Sequence, residues 1–291
     1  MATKRDTAPL ASAGDLDFLR QQLAVKLDSG DVRIPMLPEV AVRVIQAAAD
    51  PDVSARDMAQ IIYADPALAA HVMRLVNSSA YRPAQPIQSL HHAISWLGMG
   101  EVCELAFTAA VKSRLLNIPR QRARTARLWA TAVGSAAWAR VIADICGRGG
   151  EVAYLAGLMH EVGIPVCLQA CVDIGAELNT VLSEETIDAL VAEFKGPVGT
   201  RVATVWELPP TVAAAIAGWV EWETAVDQRD LCAVTYLAHQ LAEHTLAGSE
   251  PLALALNDDP VVAYLKLSGV ALNAVLGQAP LVEATIDGFR L

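Results

Sequence analysis

A histidine and a carboxylate stand side by side at His160-Glu161, after the apolar run Val152 to Met159 and just before Gly163-Ile164-Pro165. An imidazole nitrogen and a carboxylate oxygen both ligate catalytic divalent metals, and a metal hydrolase needs such a pair plus at least one or two more donors from other helices. The run reads as an apolar helix that ends at the Gly and the Pro, with the pair in its last turn. Further donors are not obvious. His71 stands alone, and His91-His92 point to different sides of one helix. His239 and His244 are five apart and share a face poorly. Each of these is expected to be structural or at the surface. His160 also has a plain account, as a satisfied core residue helped when charged by the helix C-terminus, with Glu161 paired to it or to an arginine from elsewhere. There is no Gly-x-Ser-x-Gly and no Gly-rich phosphate loop, and His160-Glu161-Val162-Gly163-Ile164 lacks the second His of a zincin helix.

Other residues carry weaker chemistry. The stretch 112–127 holds Lys112, Arg114, Arg120, Arg122, Arg124 and Arg127 and no acid. It reads first as a solvated loop and helix start paired with acidic neighbours, and second as a phosphate-binding patch centred on Arg120, Arg122 and Arg124. Asn77 and Ser78 either close a helix and satisfy its last carbonyls or, with Tyr81, rim a groove for a partner or small ligand. Trp219 and Trp222 are candidates for the same rim, with core packing the alternative. The five cysteines form no Cys-x-x-Cys pair and read as buried free thiols.

The hydrophobic pattern of the chain around these groups is helical throughout. Hydrophobic residues make up 54% of the 291, enough for a sizeable core, and aromatics only 5%, too few for stacking platforms on single-stranded nucleic acid. A formal net charge of −10 repels phosphate backbones, so no nucleic-acid partner is expected. Residues 1–14 read as a disordered tail, not a signal peptide. No stretch is expected to reach the roughly 18 apolar residues of a membrane span, and a cytoplasmic protein follows. Ser54 caps a helix over 55–63 with Asp57 completing the box, Asp65-Pro66 opens the next, Ser89 starts one that Gly98 ends, and Asp259-Pro260 caps a last one. Between them helices are expected over 16–29, 39–49, 101–116, 124–145, 152–160, 184–194, 198–206, 211–220 and 231–246. No strand alternation appears. The expected architecture is all-α in two lobes, 15–120 and 121–291.

The run Leu37-Pro38, Asp50-Pro51, Asp65-Pro66-Ala67-Leu68, Arg74-Leu75-Val76-Asn77-Ser78, Ile87 and Ala93-Ile94-Ser95-Trp96-Leu97-Gly98 resembles the first half of an HDOD domain, the HD-related output domain of bacterial signalling proteins. Leu128-Trp129, Ala156-Gly157-Leu158-Met159-His160-Glu161-Val162-Gly163 and Trp206-Glu207-Leu208-Pro209 resemble its second half, so that the likeness covers about 32–246. It implies an all-α fold related to HD phosphohydrolases and a regulatory role. It also implies where metal ligands would lie: a His where Thr131 stands, His-Asp where His160-Glu161 stands, a His at Pro197, a His-His pair at Gly218-Trp219 and an Asp at His239. The Glu side chain moves its carboxylate by about 1.5 Å against a metal-ligand tolerance of about 0.2 Å. The expectation is therefore a degenerate, non-catalytic site with His160 and Glu161 as remnants, no cofactor, a signalling protein as partner and a possible homo-oligomer. The alternatives are a divergent metal-dependent phosphohydrolase recruiting His239, and a nucleotide-binding sensor that does not hydrolyse.

Overall fold

A computed structural model describes residues 13–290 apart from 49, 51, 82, 249–255, 257, 258 and 268. Most of the predicted tail thus lies outside the described residues. All regular structure among those described is helical. The first helices are α1 (Ala13–Ser29), α2 (Glu39–Ala48), α3 (Ala55–Tyr63), α4 (Pro66–Val76), α5 (Leu90–Leu97) and α6 (Met99–Leu115). There follow α7 (Arg122–Ile145), α8 (Gly150–Met159), α9 (Gly163–Glu177), α10 (Glu184–Val205), α11 (Pro210–Gly218) and α12 (Arg229–Ala247). The chain closes with α13 (Pro260–Tyr264), α14 (Gly269–Leu276) and α15 (Ala279–Arg290).

Local chemistry sets the starts. The Asp57 N–H donates to Ser54 Oγ while the Ser54 N–H donates to Asp57 Oδ2, both at 3.2 Å, which satisfies two donors at the head of α3. Asp65 accepts from the N–H groups of Ala67 and Leu68 at 3.0 Å, with Pro66 in the first position of α4. Ser89 accepts from His92, and Gly98 ends α5 at a φ of 90°, a left-handed value that favours glycine.

Two stretches depart from the sequence reading. Residues 163–177, given no element there, form α9. Gly163 and Pro165 open this helix instead of merely stopping α8, because a first-turn Pro lacks an N–H that would have no partner anyway. The helices expected over 184–194 and 198–206 are one, α10, which runs through Pro197. An interior Pro costs a helix about 3 kcal/mol. Packing offsets it: a Cβ on Gly163 would stand 2.7 Å from the Gly199 nitrogen, so α9 and α10 touch backbone to backbone. Two helical stretches, Gly150–Glu177 and Gly269–Arg290, are also long and apolar enough to cross a membrane, contrary to the expectation of none; 72% of the most apolar 18-residue window of the first is buried inside the protein.

The core is continuous from Leu19 to Phe289. Its axis is α7, buried on most sides over Trp129–Ala139 and packed by α8, α12 and α15. Small residues allow the close approach: a Cβ on Gly157 would meet the Ser135 carbonyl oxygen at 2.5 Å. The division expected near residue 120 falls in the turn between α6 and α7. Helix α1 packs on α9 and α10, where Lys26 pairs with Glu177 and Arg20 with Glu193, each at 2.8 Å.

Candidate functional site

Five helices converge on His160. It caps the C-terminus of α8, is 3% exposed, and lies against Trp219 at the end of α11 and His239 on α12. His160 Nδ1 lies 2.7 Å from the Gly157 carbonyl oxygen. A carbonyl only accepts, so in the neutral ring the proton sits on Nδ1. Nε2 is then an acceptor and takes the hydrogen bond from His239 Nδ1–H across 2.9 Å. Burial pushes both imidazoles down to about 4, and the proximity of His160 adds to the effect on His239. His160 is therefore a neutral residue tied to a partner, not a cation stabilised by its helix end.

The ring of neighbours is equally engaged. The Trp219 indole lies 4.7 Å from each imidazole, centroid to centroid. Lys195 Nζ on α10 stands 3.6 Å from a Glu161 carboxylate oxygen and 5.7 Å from the Trp219 ring. Glu161 thus pairs with a lysine, neither with His160 nor with an arginine. Thr131 on α7 donates to Glu243 at 2.6 Å, and Arg127 pairs with the other oxygen of Glu243 at 2.8 Å. Glu243 follows His239 by one helical turn.

Donor atoms of His160, Glu161 and His239 lie within 4.8 Å of one another, close enough to hold one metal ion. Two features suit a metal. The carbonyl behind His160 Nδ1 fixes the ring as it does in metal-bound histidines, and cis nitrogens on an ion with bonds of about 2.1 Å stand about 3 Å apart. Three features do not. The Lys195 ammonium competes for Glu161, a proton already bridges the imidazoles, and Thr131 faces Glu243. The set meets only the minimum of three donors, and its buried side-chain polar atoms are all partnered among the described residues.

Of the residues singled out in the sequence, the structure gathers His160, Glu161, Trp219, His239 and Thr131, and disperses the rest. His239, expected to be structural or at the surface, is half-buried on α12 and hydrogen-bonded to His160. Trp219 and Trp222 are 8% and 6% exposed, so neither forms an open rim. Trp222 packs on Tyr264 and Tyr236 beneath Arg229. Asn77 closes a loop: its amide donates to the carbonyls of Met73 and Ile87 and its oxygen accepts from the Ile87 N–H at 2.8 Å. Ser78 Oγ is buried without a partner. Tyr81 lines a separate cavity with Glu101, Arg140 and Tyr154. Arg124 pairs with Glu184 and Asp188, while Arg120 and Arg122 border a cleft beside Lys112. The cysteines are free, as expected. Lys195 and Glu243 escaped the sequence reading. The step of four from His239 to Glu243 is a usable signal for one shared face; Lys195 gave none.

A second, half-buried polar cluster lies between α6 and α7. Arg140 pairs with Glu104, with Glu101 at 3.1 Å and with Asp144 at 3.7 Å. Burial raises Glu104 to about 8 in spite of the guanidinium, and its Oε1 has no partner.

The HDOD domain model matches residues 34–219, and the chain belongs to that family. Its fold matches the crystal structure of an HDOD domain protein with unknown function from Geobacter sulfurreducens, at 23% identity and a TM-score of 0.70 over 95% of this chain and 98% of that one. It also matches, at 22% identity and a TM-score of 0.70 over 94% and 99%, a structure from Shewanella amazonensis SB2B named "Putative metal-dependent phosphohydrolase". A curated relative from Treponema pallidum (strain Nichols), an uncharacterized protein, is 25% identical over 63% of this chain; the match spans 37% of that protein's length.

Proposed function

We propose that this chain is a non-catalytic signalling module that acts by binding a partner protein, its HD-type centre kept as a structural knot. The carrying observation is the closure of that centre on itself. His160 and His239 are bonded to one another, Glu161 to Lys195, and Trp219 covers both imidazoles. A hydrolytic centre needs donors left open to metal, water and substrate, and here each has an internal partner.

A second reading, a divergent metal-dependent phosphohydrolase, is favoured by one observation: three donors within 4.8 Å with His160 held through its Nδ1. In that reading His160, Glu161 and His239 would hold the ion, which would supply a Lewis acid and an activated water. Elemental analysis of untagged protein grown with iron, manganese and zinc separates the two, together with assays on phosphodiester substrates. The expected result is metal well below one equivalent and no hydrolysis. A stoichiometric ion lost in His160→Ala, with hydrolysis of a phosphodiester, would establish the second reading.

A further inference from the structure

A cleft of about 690 Å³ opens where α4, α6 and the turn into α7 meet, well within the size of small-molecule sites. Its lining carries His71, Lys112, Arg120 and Arg122 and no carboxylate, in a chain whose formal net charge is −10. The neighbouring Arg124 and Arg127 have acidic partners; Arg120 and Arg122 have none among the described residues. Lys112 donates to the Phe289 carbonyl near the C-terminal end of α15, which holds its ammonium at the cleft. The His71 ring lies 6.0 Å from Phe289. Burial, Arg74 and Lys112 keep His71 below the usual imidazole range, and burial also lowers Lys112. Arg120 holds a φ of 64°, a left-handed backbone that is unfavourable for any residue with a Cβ.

These groups repel one another, and an anion between them would relieve the repulsion. Guanidinium forks match phosphate oxygens, and two arginines with a lysine exceed what one phosphate monoester needs. Leu116, Ile118 and Pro119 supply an apolar wall beside the charges. A nucleic-acid strand is opposed by the overall negative charge, whereas a small anion responds mainly to the local field. We propose that this cleft binds a nucleoside polyphosphate, with its phosphates on Lys112, Arg120 and Arg122 and its nucleoside against the apolar wall. The ligand would join α4, α6, the turn into α7 and, through Lys112, α15.

Isothermal titration of the whole chain with ADP, GDP, pyrophosphate, adenosine and guanosine tests this. At least one nucleoside diphosphate should bind more tightly than pyrophosphate, and the nucleosides should not bind. The exposed pair Arg120→Glu/Arg122→Glu should weaken binding by at least about tenfold, as expected for lost charged hydrogen bonds, with an unchanged melting curve. Arg122→Gln, a milder change at an exposed position, should weaken it in the same direction. Arg56→Gln, at an exposed arginine of α3 outside the cleft lining, should leave the affinity unchanged. No binding of ADP or GDP at millimolar concentration, or binding that survives the charge reversals, overturns the proposal. Pyrophosphate binding as tightly as the diphosphates overturns the nucleoside contact.

Discussion

The histidine cluster under α8 and the arginine cluster between α6 and α7 solve the same problem, buried polarity, in opposite ways. The first gives up charge at its centre: two imidazoles are neutral, pushed down to about 4, and satisfy one another. The second keeps charge on its guanidinium, which is shared among Glu101, Glu104 and Asp144, while burial first and the nearby Glu101 next raise Glu104 to about 8. The first leaves no buried side-chain polar atom unpartnered among the described residues, the second leaves Glu104 Oε1. Mutual neutral hydrogen bonding tolerates burial better than a crowded ion cluster, in which each added charge bears a desolvation cost that one arginine cannot offset for all.

The largest expected effect breaks the frame of the first cluster. In Gly163→Ala the new Cβ would stand 1.9 Å from the Lys195 carbonyl oxygen and 2.7 Å from the Gly199 nitrogen, both backbone atoms. The helices α9 and α10 must separate, carrying Lys195 from Glu161, at a cost of about 3 kcal/mol in the unfolding free energy obtained from urea titration. Wild-type stability would show the contact is looser than described.

Next is the histidine pair itself. His239→Leu strands the buried His160 Nε2 and should cost about 2 kcal/mol. The double variant His160→Phe/His239→Leu should cost less than the sum of the single changes, and additivity would mean that the pair is not coupled. Because both folded-state values lie below the ordinary imidazole value of 6.5, the unfolded chain takes up protons first as pH falls. The pair's stability is full above about 6.5 and is lost as pH falls toward 4, by an amount on the order of 3 kcal/mol for each imidazole. Denaturation from pH 7 to 4 should show this loss reduced in the double variant.

The smallest effect belongs to the second cluster. Glu104 is raised, so its contribution has the opposite sign: full below the unfolded value of 4.5 and lost as pH rises through about 8. Glu104→Gln should be as stable as wild type or about 1 kcal/mol more stable at pH 8, since Arg140 keeps Glu101. A marked loss would mean that the Glu104 carboxylate is ionised and needed.

Much of the fold was legible because it rests on short-range chemistry. Ser54 with Asp57, Asp65 with Pro66, Ser89 and Gly98 set helix ends through contacts a few residues long. Misreadings arose where a local breaker was overruled at a distance. Pro197 and Gly163-Pro165 look like stops, and only the α9–α10 contact shows why helix continues through one and begins at the other. The site is half legible: the residues give His160-Glu161 and the family resemblance gives the substituted positions Thr131, Trp219 and His239, yet nothing in the spacing joins His239 to His160, 79 residues away.

By itself the sequence determined the all-α class, most helix boundaries and the free cysteines, since each follows from residue type and near-neighbour spacing; the substitutions at the HD-type positions are what the family resemblance implies. Only the tertiary structure decided that those substituted residues meet. Whether His160 is charged, whether Glu161 takes Lys195, and whether Arg120 and Arg122 lack an acidic partner among the described residues while Arg124 and Arg127 have one, depend on burial and on groups brought together across the chain. Desolvation and Coulomb attraction act through space, and spacing along a chain does not encode them.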